Sequence, residues 1–235
     1  MSKKFILKKW SGMKNLKDKF FSMICFASRR SGKSELVKYI YQKLNFGEEY
    51  DHVIVISECN DTIDFFSEFV HGNLFIREFD GEVVSNTILV SRNNEAEGTK
   101  LKFLVIIDDV VGNTIKHSEW MSKLYATGRH DNISCILICQ KLTLINTTVR
   151  NNSDVIFIGQ AKSGNERDSI IKNMLHGVAT RQQIRDLAYS SKDEFYEDLL
   201  IQNTTNHNFI VLDYISTTSN DFDDVVYSIK AKILK

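Results

Sequence analysis

Residues 27–34 read ASRRSGKS, and this stretch decides the fold. It follows a nearly continuous apolar run, Phe20–Ala27, and leads into residues 34–44, where apolar side chains recur at helical spacing. The stretch fits the phosphate-binding loop pattern G-x-x-x-x-G-K-[ST] at every fixed position except the first, where Ala27 replaces glycine. A buried strand before the loop and an amphipathic helix after it are the context that this pattern requires.

The residue types of this loop suit a bound phosphate. Successive backbone N–H groups and the positive end of the helix form a concave anion site. Gly32 lets the main chain approach the phosphate, Lys33 brings a positive charge to the β- and γ-phosphates, and the Ser34 hydroxyl can bind Mg²⁺. We predict nucleotide contacts from every residue of the loop: Ala27, Ser28, Arg29, Arg30, Ser31, Gly32, Lys33 and Ser34.

The alanine at the first position is a mild departure from the pattern. A methyl group at Ala27 costs little if the backbone there does not need a positive φ. A Gly-Lys-Ser sequence also begins ordinary helices, however, so the interpretation needs a second signal.

Residues 104–109, LVIIDD, supply that signal, and Asp108 lies 74 residues after Ser34. Four apolar residues followed by two acids are typical of a Walker B strand, which would place Asp108 at the carboxyl end of a buried parallel strand. There Asp108 can bind Mg²⁺ opposite Ser34, and Asp109 can orient or deprotonate the attacking water. The alternative is that the two acids only end a strand at the surface.

A second acid at this position favours ATPases in which one more strand lies between the loop strand and the Walker B strand. Residues 133–139 are apolar throughout and can form that strand, which ends in Gln140 at the same edge of the sheet. Gln140 would contact the γ-phosphate or the water and respond to hydrolysis. A polar residue at this position can also simply end a strand.

Short apolar runs recur along the chain with helical patterns between them, which predicts an α/β fold with a mostly parallel central sheet flanked by helices. The apolar runs occupy residues 20–27, 52–57, 103–107, 133–139, 155–158 and 209–212. The other predicted elements are helices at 34–44, 61–69, 82–96 and 119–127, a short strand at 73–79, and helices that start near residues 181 and 192. We expect a single domain, 1–235, with a nucleotide-binding core at 20–160 and a more helical C-terminal part with a late strand at 161–235.

The net charge of zero conceals an uneven distribution. Residues 1–19 hold seven lysines and one acid, so this basic arm carries +6 and the rest of the chain −6. We expect the arm to lie outside the catalytic core, where it would either contact DNA phosphates in a salt-dependent way or remain a solvated tail. The apolar runs are shorter than a membrane helix, and the four cysteines lack disulfide or metal spacing. These features predict a soluble, intracellular protein.

Several of these segments together resemble the poxvirus-type genome-packaging ATPases. These proteins belong to the FtsK/HerA superfamily and occur in large DNA viruses, virophages and polinton-like elements. The resemblance covers about residues 20–160. It rests on the loop at 29–34, the block at 104–113, and Gly128–His130 followed by the strand that ends in Gln140.

The resemblance implies a RecA-like P-loop ATPase fold with ATP and Mg²⁺ as cofactors. It further implies a motor, usually a ring, that moves double-stranded DNA into a preformed capsid at a capsid or portal-vertex protein. Such a protein would be found in the host cytoplasm, in the viral factory, and also with the virion. By match of position, Lys33 and Ser34 would bind phosphate and Mg²⁺, Asp108 the metal and Asp109 the water, with Gln140 as sensor.

Arg129 is the remaining catalytic candidate. It follows the predicted helix at 119–127, and it would act as a finger that stabilises charge in a neighbouring subunit's site. A cation at a helix C-terminus is also favourable without any catalytic role. For the whole chain, the alternatives are a morphogenesis or secretion ATPase that acts on protein or single-stranded DNA, a small-molecule kinase, and a nucleotide-dependent scaffold that does not hydrolyse ATP.

Overall fold

The apolar runs of the sequence form the strands of one sheet. The computed structural model describes residues 6–71, 74–110, 114–219 and 221–231. Within these ranges the sheet has eight strands. They are β1 (Ser22–Phe26), β2 (His52–Ile56), β3 (Leu74–Ile76), β4 (Phe103–Asp108), β5 (Ile133–Cys139), β6 (Val155–Ile158), β7 (Asn208–Asp213) and β8 (Val226–Lys230).

The strand order across the sheet is β3-β2-β4-β5-β1-β6-β7-β8. The first six strands in this order are parallel to one another, while β7 and β8 are added antiparallel. β5 lies between β1 and β4, because Leu137 pairs with Ile24 on one side and with Ile107 on the other. The predicted α/β fold with a mostly parallel sheet and the predicted additional strand are therefore confirmed.

Helices cover both faces of this sheet. They are α1 (Asn15–Asp18), α2 (Lys33–Leu44), α3 (Phe46–Glu49), α4 (Asn60–Ser67), α5 (Gly81–Ala96), α6 (Thr114–His117), α7 (Glu119–Thr127), α8 (Thr147–Asn151), α9 (Gly164–Ile170), α10 (Arg181–Asp186), α11 (Lys192–Asn203) and α12 (Phe222–Val225). A π-helical turn, Ile171–Leu175, continues α9. In the part of the chain that the structure describes, no helix is both long and apolar enough to cross a membrane.

Burial on both faces explains why the central strands have sequences that are apolar without interruption. Neighbouring side chains of β1 point to opposite faces, so they enter two different cores. Met23 and Cys25 belong to the core that contains side chains of α2 and α4, whereas Ile24 and Phe26 belong to the core that contains side chains of α7 and α11. All residues of β1 are buried, as expected for a strand covered by helices on both sides.

The predicted helices at 61–69, 82–96 and 119–127 correspond to α4, α5 and α7. The strand predicted at 73–79 is shorter and spans Leu74–Ile76, while Asn73 lies outside the described residues. β8 was not predicted. It is an edge strand, and only Val226 among its residues is buried, so it has no continuous apolar run to mark it.

Residues 6–19 pack beside β8, the outermost strand on one side of the sheet. The backbone N–H of Trp10 donates to the carbonyl of Ser228 in β8 at 2.9 Å. The Trp10 indole N–H donates to Asp213 Oδ2 at 2.7 Å, and its ring contacts Phe157 edge to face at a centroid distance of 5.3 Å. Residues 6–19 are therefore not a solvated tail, because Leu7, Trp10 and Leu16 are buried. Contact of this segment with DNA stays a prediction.

We expect Trp10→Ala to lower the free energy of unfolding by about 3–5 kcal/mol, because it removes a buried ring and one hydrogen bond to Asp213. Urea unfolding would measure the change. Lys9→Ala alters an exposed side chain of the same segment and should change stability by less than about 0.5 kcal/mol. Equal effects of the two substitutions would contradict a structural role for this segment.

Candidate functional site

The loop between β1 and α2 has the backbone shape of an anion-binding nest. Arg30 and Gly32 both adopt left-handed conformations, with φ of +61° and +89°, which turns consecutive N–H groups toward one concave side. Lys33 lies across the loop, and its ammonium donates to the carbonyls of Ala27 at 3.0 Å and Ser28 at 3.2 Å. The lysine charge is therefore held directly beside the concavity.

Ser34 and Asp108 meet beside this loop. The Ser34 hydroxyl donates to Asp108 Oδ2 at 2.9 Å, which joins the first turn of α2 to the last residue of β4. Asp108 is only 4% exposed. Burial raises the pKa of its carboxyl from 3.8 to about 6, although the Ser34 hydrogen bond and the Lys33 charge favour the ionised form. A buried carboxylate with a hydroxyl beside it is a pair of oxygen donors suited to a divalent cation.

Asp109 and Gln140 form a second pair at the same edge. The Gln140 amide Nε2 donates to Asp109 Oδ1 at 2.6 Å, so the ends of β4 and β5 are linked by their side chains. Asp109 has a left-handed backbone with φ of +52°, which is uncommon for a residue other than glycine. Such strained positions occur often at functional sites, where the surrounding structure holds them in place.

These residues surround one cleft with a volume of about 610 Å³, which is in the range of small-molecule sites. Four cationic and two acidic side chains face it, and its lining residues are Arg29, Arg30, Lys33, Ser34, Thr62, Asp108, Asp109, Gln140 and Lys162. The structure thus brings the predicted groups of three separate strand ends into one place.

The family comparison agrees with this geometry. The family model described as Poxvirus A32 protein matches residues 8–213, which is most of the chain. The chain belongs to the poxvirus A32 protein family. No curated protein matches it.

Solved structures similar to this A32-family chain include the genome packaging NTPase B204 from Sulfolobus turreted icosahedral virus 2 in complex with ATP-gammaS. That similarity has a TM-score of 0.60 at 16% identity and covers 92% of this chain and 98% of B204. The pCW3 conjugation coupling protein TcpA with ATPgS has a TM-score of 0.60 at 14% identity, covering 92% of this chain and 61% of TcpA. EssC (ATPases 2 and 3) from Geobacillus thermodenitrificans has a TM-score of 0.52 at 12% identity, covering 68% and 34%. The A32-family chain therefore has the RecA-like P-loop ATPase fold.

Two lining residues of the cleft were missed from the sequence. Thr62 lies on α4, beyond β2, and Lys162 follows β6, so both come after the carboxyl ends of parallel strands. The Lys162 backbone N–H also donates to Ser28 Oγ at 3.1 Å. A search of the residues after every parallel strand, rather than after β1, β4 and β5 alone, would have included them.

Ala27 fits the loop because a glycine lies opposite it. Its backbone does not adopt a positive φ, as the sequence argument required. A Cβ placed on Gly159, just after β6, would come within 2.6 Å of both the Ala27 methyl and a ring carbon of Phe209. In this A32-family chain the space for close packing is therefore provided by Gly159 instead of the first loop residue.

Arg129 is not part of the cleft. It lies in the 3₁₀ turn before β5, so it is at the amino end of the strands, opposite the edge that holds the loop. Its guanidinium Nη1 is paired with Asp154 Oδ1 at 2.7 Å, and its side chain is 40% exposed. The predicted contact with a neighbouring subunit's site stays a prediction.

We expect Asp108→Asn to raise the free energy of unfolding of the nucleotide-free protein by up to about 3 kcal/mol at pH 7, because the substitution removes a charge whose burial raises the pKa to about 6. The asparagine Oδ1 can still accept from Ser34. The difference should narrow as the pH falls through 6 toward 4, where Asp108 becomes protonated in the folded protein and both proteins are neutral at this position.

Urea unfolding of both proteins at several pH values would measure this difference. Asp64→Asn changes an exposed carboxyl and serves as the control, for which little stability difference is expected. An Asp108→Asn protein that is less stable than the wild type at pH 7 would contradict this account of the buried charge.

Proposed function

We propose that this chain binds ATP with Mg²⁺ and hydrolyses it to move double-stranded DNA. The observation that carries the proposal is the meeting of two side-chain pairs, Ser34 with Asp108 and Asp109 with Gln140, beside a nest-shaped loop and its lysine. One pair suits a metal ion and the other suits a water molecule. A phosphate chain bound in the loop would lie between them.

The donor set at Ser34 and Asp108 fits Mg²⁺. This ion usually takes one or two oxygen ligands from the protein and the remainder from phosphates and water. The raised pKa of Asp108 follows from a buried carboxyl without enough positive charge beside it, which a bound cation would supply. When bound, the metal would neutralise charge on the β- and γ-phosphates.

The loop and its lysine would bind and orient the phosphates. Backbone N–H groups of residues 29–34 would face the phosphate oxygens, since the Ser28 N–H already donates to the Gln160 carbonyl at 2.8 Å. The Lys33 ammonium would turn from the loop carbonyls toward the β- and γ-phosphates. The loop backbone already has this shape without nucleotide, and Lys33 would change only the position of its side chain. Little reorganisation is then needed as charge develops during phosphoryl transfer.

Asp109 and Gln140 would handle the attacking water. Asp109 accepts a hydrogen bond from the water and can take its proton, while the Gln140 amide, now 2.6 Å from Asp109, can also reach toward the γ-phosphate. Loss of the γ-phosphate would return Gln140 to Asp109 alone. The pair thus gives the chain a way to sense whether hydrolysis has taken place.

DNA as the polymer is supported by family membership and by the described role of one structural relative. The chain belongs to the poxvirus A32 protein family, and B204 is described as a genome packaging NTPase. We assign this chain a place in a ring at a capsid or portal vertex, in an infected cell. The alternative is transport of single-stranded DNA or protein, since TcpA, a conjugation coupling protein, shares the fold.

The test is the ATP hydrolysis rate with and without double-stranded DNA. We expect DNA to raise the wild-type rate, and Lys33→Ala to lower kcat/KM at least about 100-fold because the phosphate charge loses its partner. Lys43→Ala removes an exposed lysine from the same helix and should leave the rate within about 2-fold. Equal rates with and without DNA would contradict a DNA motor, and stimulation by single-stranded DNA or protein would favour the alternative.

The role of Arg129 in trans has a separate test. Arg129→Ala and Lys33→Ala proteins should each hydrolyse ATP poorly. A mixture of them should regain activity, because some interfaces then combine an intact Lys33 with an intact Arg129 from a neighbour. Arg150→Ala, which removes another arginine at the same end of the sheet, is the control and should remain active alone. A mixture without recovery at any ratio would contradict an arginine finger.

A further inference from the structure

A histidine from the C-terminal part of the chain touches the phosphate-binding loop. His207 Nδ1 lies 3.0 Å from the carbonyl oxygen of Ser31, 176 residues away in sequence. A carbonyl oxygen only accepts, so Nδ1 is the donor in this hydrogen bond. The imidazole also packs over Gly32, because a Cβ there would come within 3.0 Å of Nδ1.

This contact supplies a hydrogen-bond donor to a backbone carbonyl of the loop. When the N–H groups of a nest point inward to an anion, its carbonyls point outward and need donors of their own. Lys33 donates to the carbonyls of Ala27 and Ser28. The Ser31 hydroxyl also donates to the Ser28 carbonyl, at 2.7 Å. The carbonyl of Ser31 receives its hydrogen bond from His207.

The backbone that presents this histidine is held in an unusual conformation. Asn206 and His207 are consecutive left-handed residues, with φ of +54° and +62°. Neither is glycine, so the conformation costs energy that the surroundings must offset. On one side β7 begins at Asn208, and on the other the Ala231 N–H donates to the His207 carbonyl at 3.1 Å. The start of β7 and the residue after β8 thus hold His207 against the loop.

We propose that His207 is a positioning residue of the nucleotide site, which sets the Ser31 peptide so that the Gly32 and Lys33 N–H groups face the phosphates. The inference rests on the proposed ATP site, and it deepens it by assigning a role to the connection between α11 and β7. The antiparallel direction of β7 is what allows this. Its amino end lies at the same edge as the carboxyl ends of β1 and β6.

Two substitutions distinguish the effect of the His207 hydrogen bond from the effect of its strained backbone. His207→Gly removes the imidazole at a left-handed position that glycine accepts freely, so the fold should not be weakened there. His207→Asn tolerates the same backbone and keeps an N–H donor near the position of Nδ1. Two measurements are made on each protein: amide hydrogen exchange of residues 28–34 without nucleotide, and the Kd for ATP-gammaS with Mg²⁺ by calorimetry.

We expect His207→Gly to exchange faster in the loop and to bind ATP-gammaS about 3- to 10-fold more weakly, the effect of one lost hydrogen bond. His207→Asn should stay within about 2-fold of the wild type in both measurements. His130→Ala, an exposed histidine at the opposite edge, is the control and should match the wild type.

Loop exchange that is equal in the glycine variant and the wild type would overturn the proposal, whatever the nucleotide result. Equal weakening by glycine and asparagine would also overturn it, because asparagine retains a donor. Failure of the proposed ATP site has a different signature: the wild type and Lys33→Ala would then have the same Kd for ATP-gammaS, while the exchange data still decide the role of His207.

Discussion

Backbone hydrogen bonds between β1, β5 and β4 fix the distances among the groups of the candidate site. Parallel strands in register bring their carboxyl ends to one edge, so the loop after β1, the acids after β4 and the glutamine after β5 must lie side by side. The Ser34–Asp108 and Asp109–Gln140 hydrogen bonds are consequences of that register. A shift of β5 by one residue would reverse its faces and separate Gln140 from Asp109.

The site keeps its groups at some cost to stability. Asp108 is buried with a raised pKa, and Asp109 and Arg30 hold left-handed backbones. Each of these would be relieved by an ordinary substitution, yet together they bring a buried carboxylate, a second acid and inward N–H groups to one edge of the sheet. The proposed phosphate site would account for the strained backbones and the buried charge at this one edge of the sheet.

The sequence allowed prediction of those parts whose chemistry is local. Lys33 and Ser34 belong to one loop pattern, and Asp108 and Gln140 stand at the ends of apolar runs, so the pattern and the run ends predicted them. His207 could not be found this way, because it acts through a backbone carbonyl far along the chain and no pattern marks it. β8 was missed for a different reason: an edge strand with half-exposed residues lacks the continuous apolar signal.

The positions of the loop pattern meet physical requirements that different residues can fulfil. At the first position of the pattern this chain has Ala27, and Gly159, just after the neighbouring strand β6, leaves room for the Ala27 methyl and the Phe209 ring. The left-handed position, by contrast, cannot be moved, and it is still a glycine, Gly32, with the His207 ring against it. Space beside a residue can be provided by a small residue next to a neighbouring strand. A positive φ, in contrast, must be adopted by the residue at that position itself.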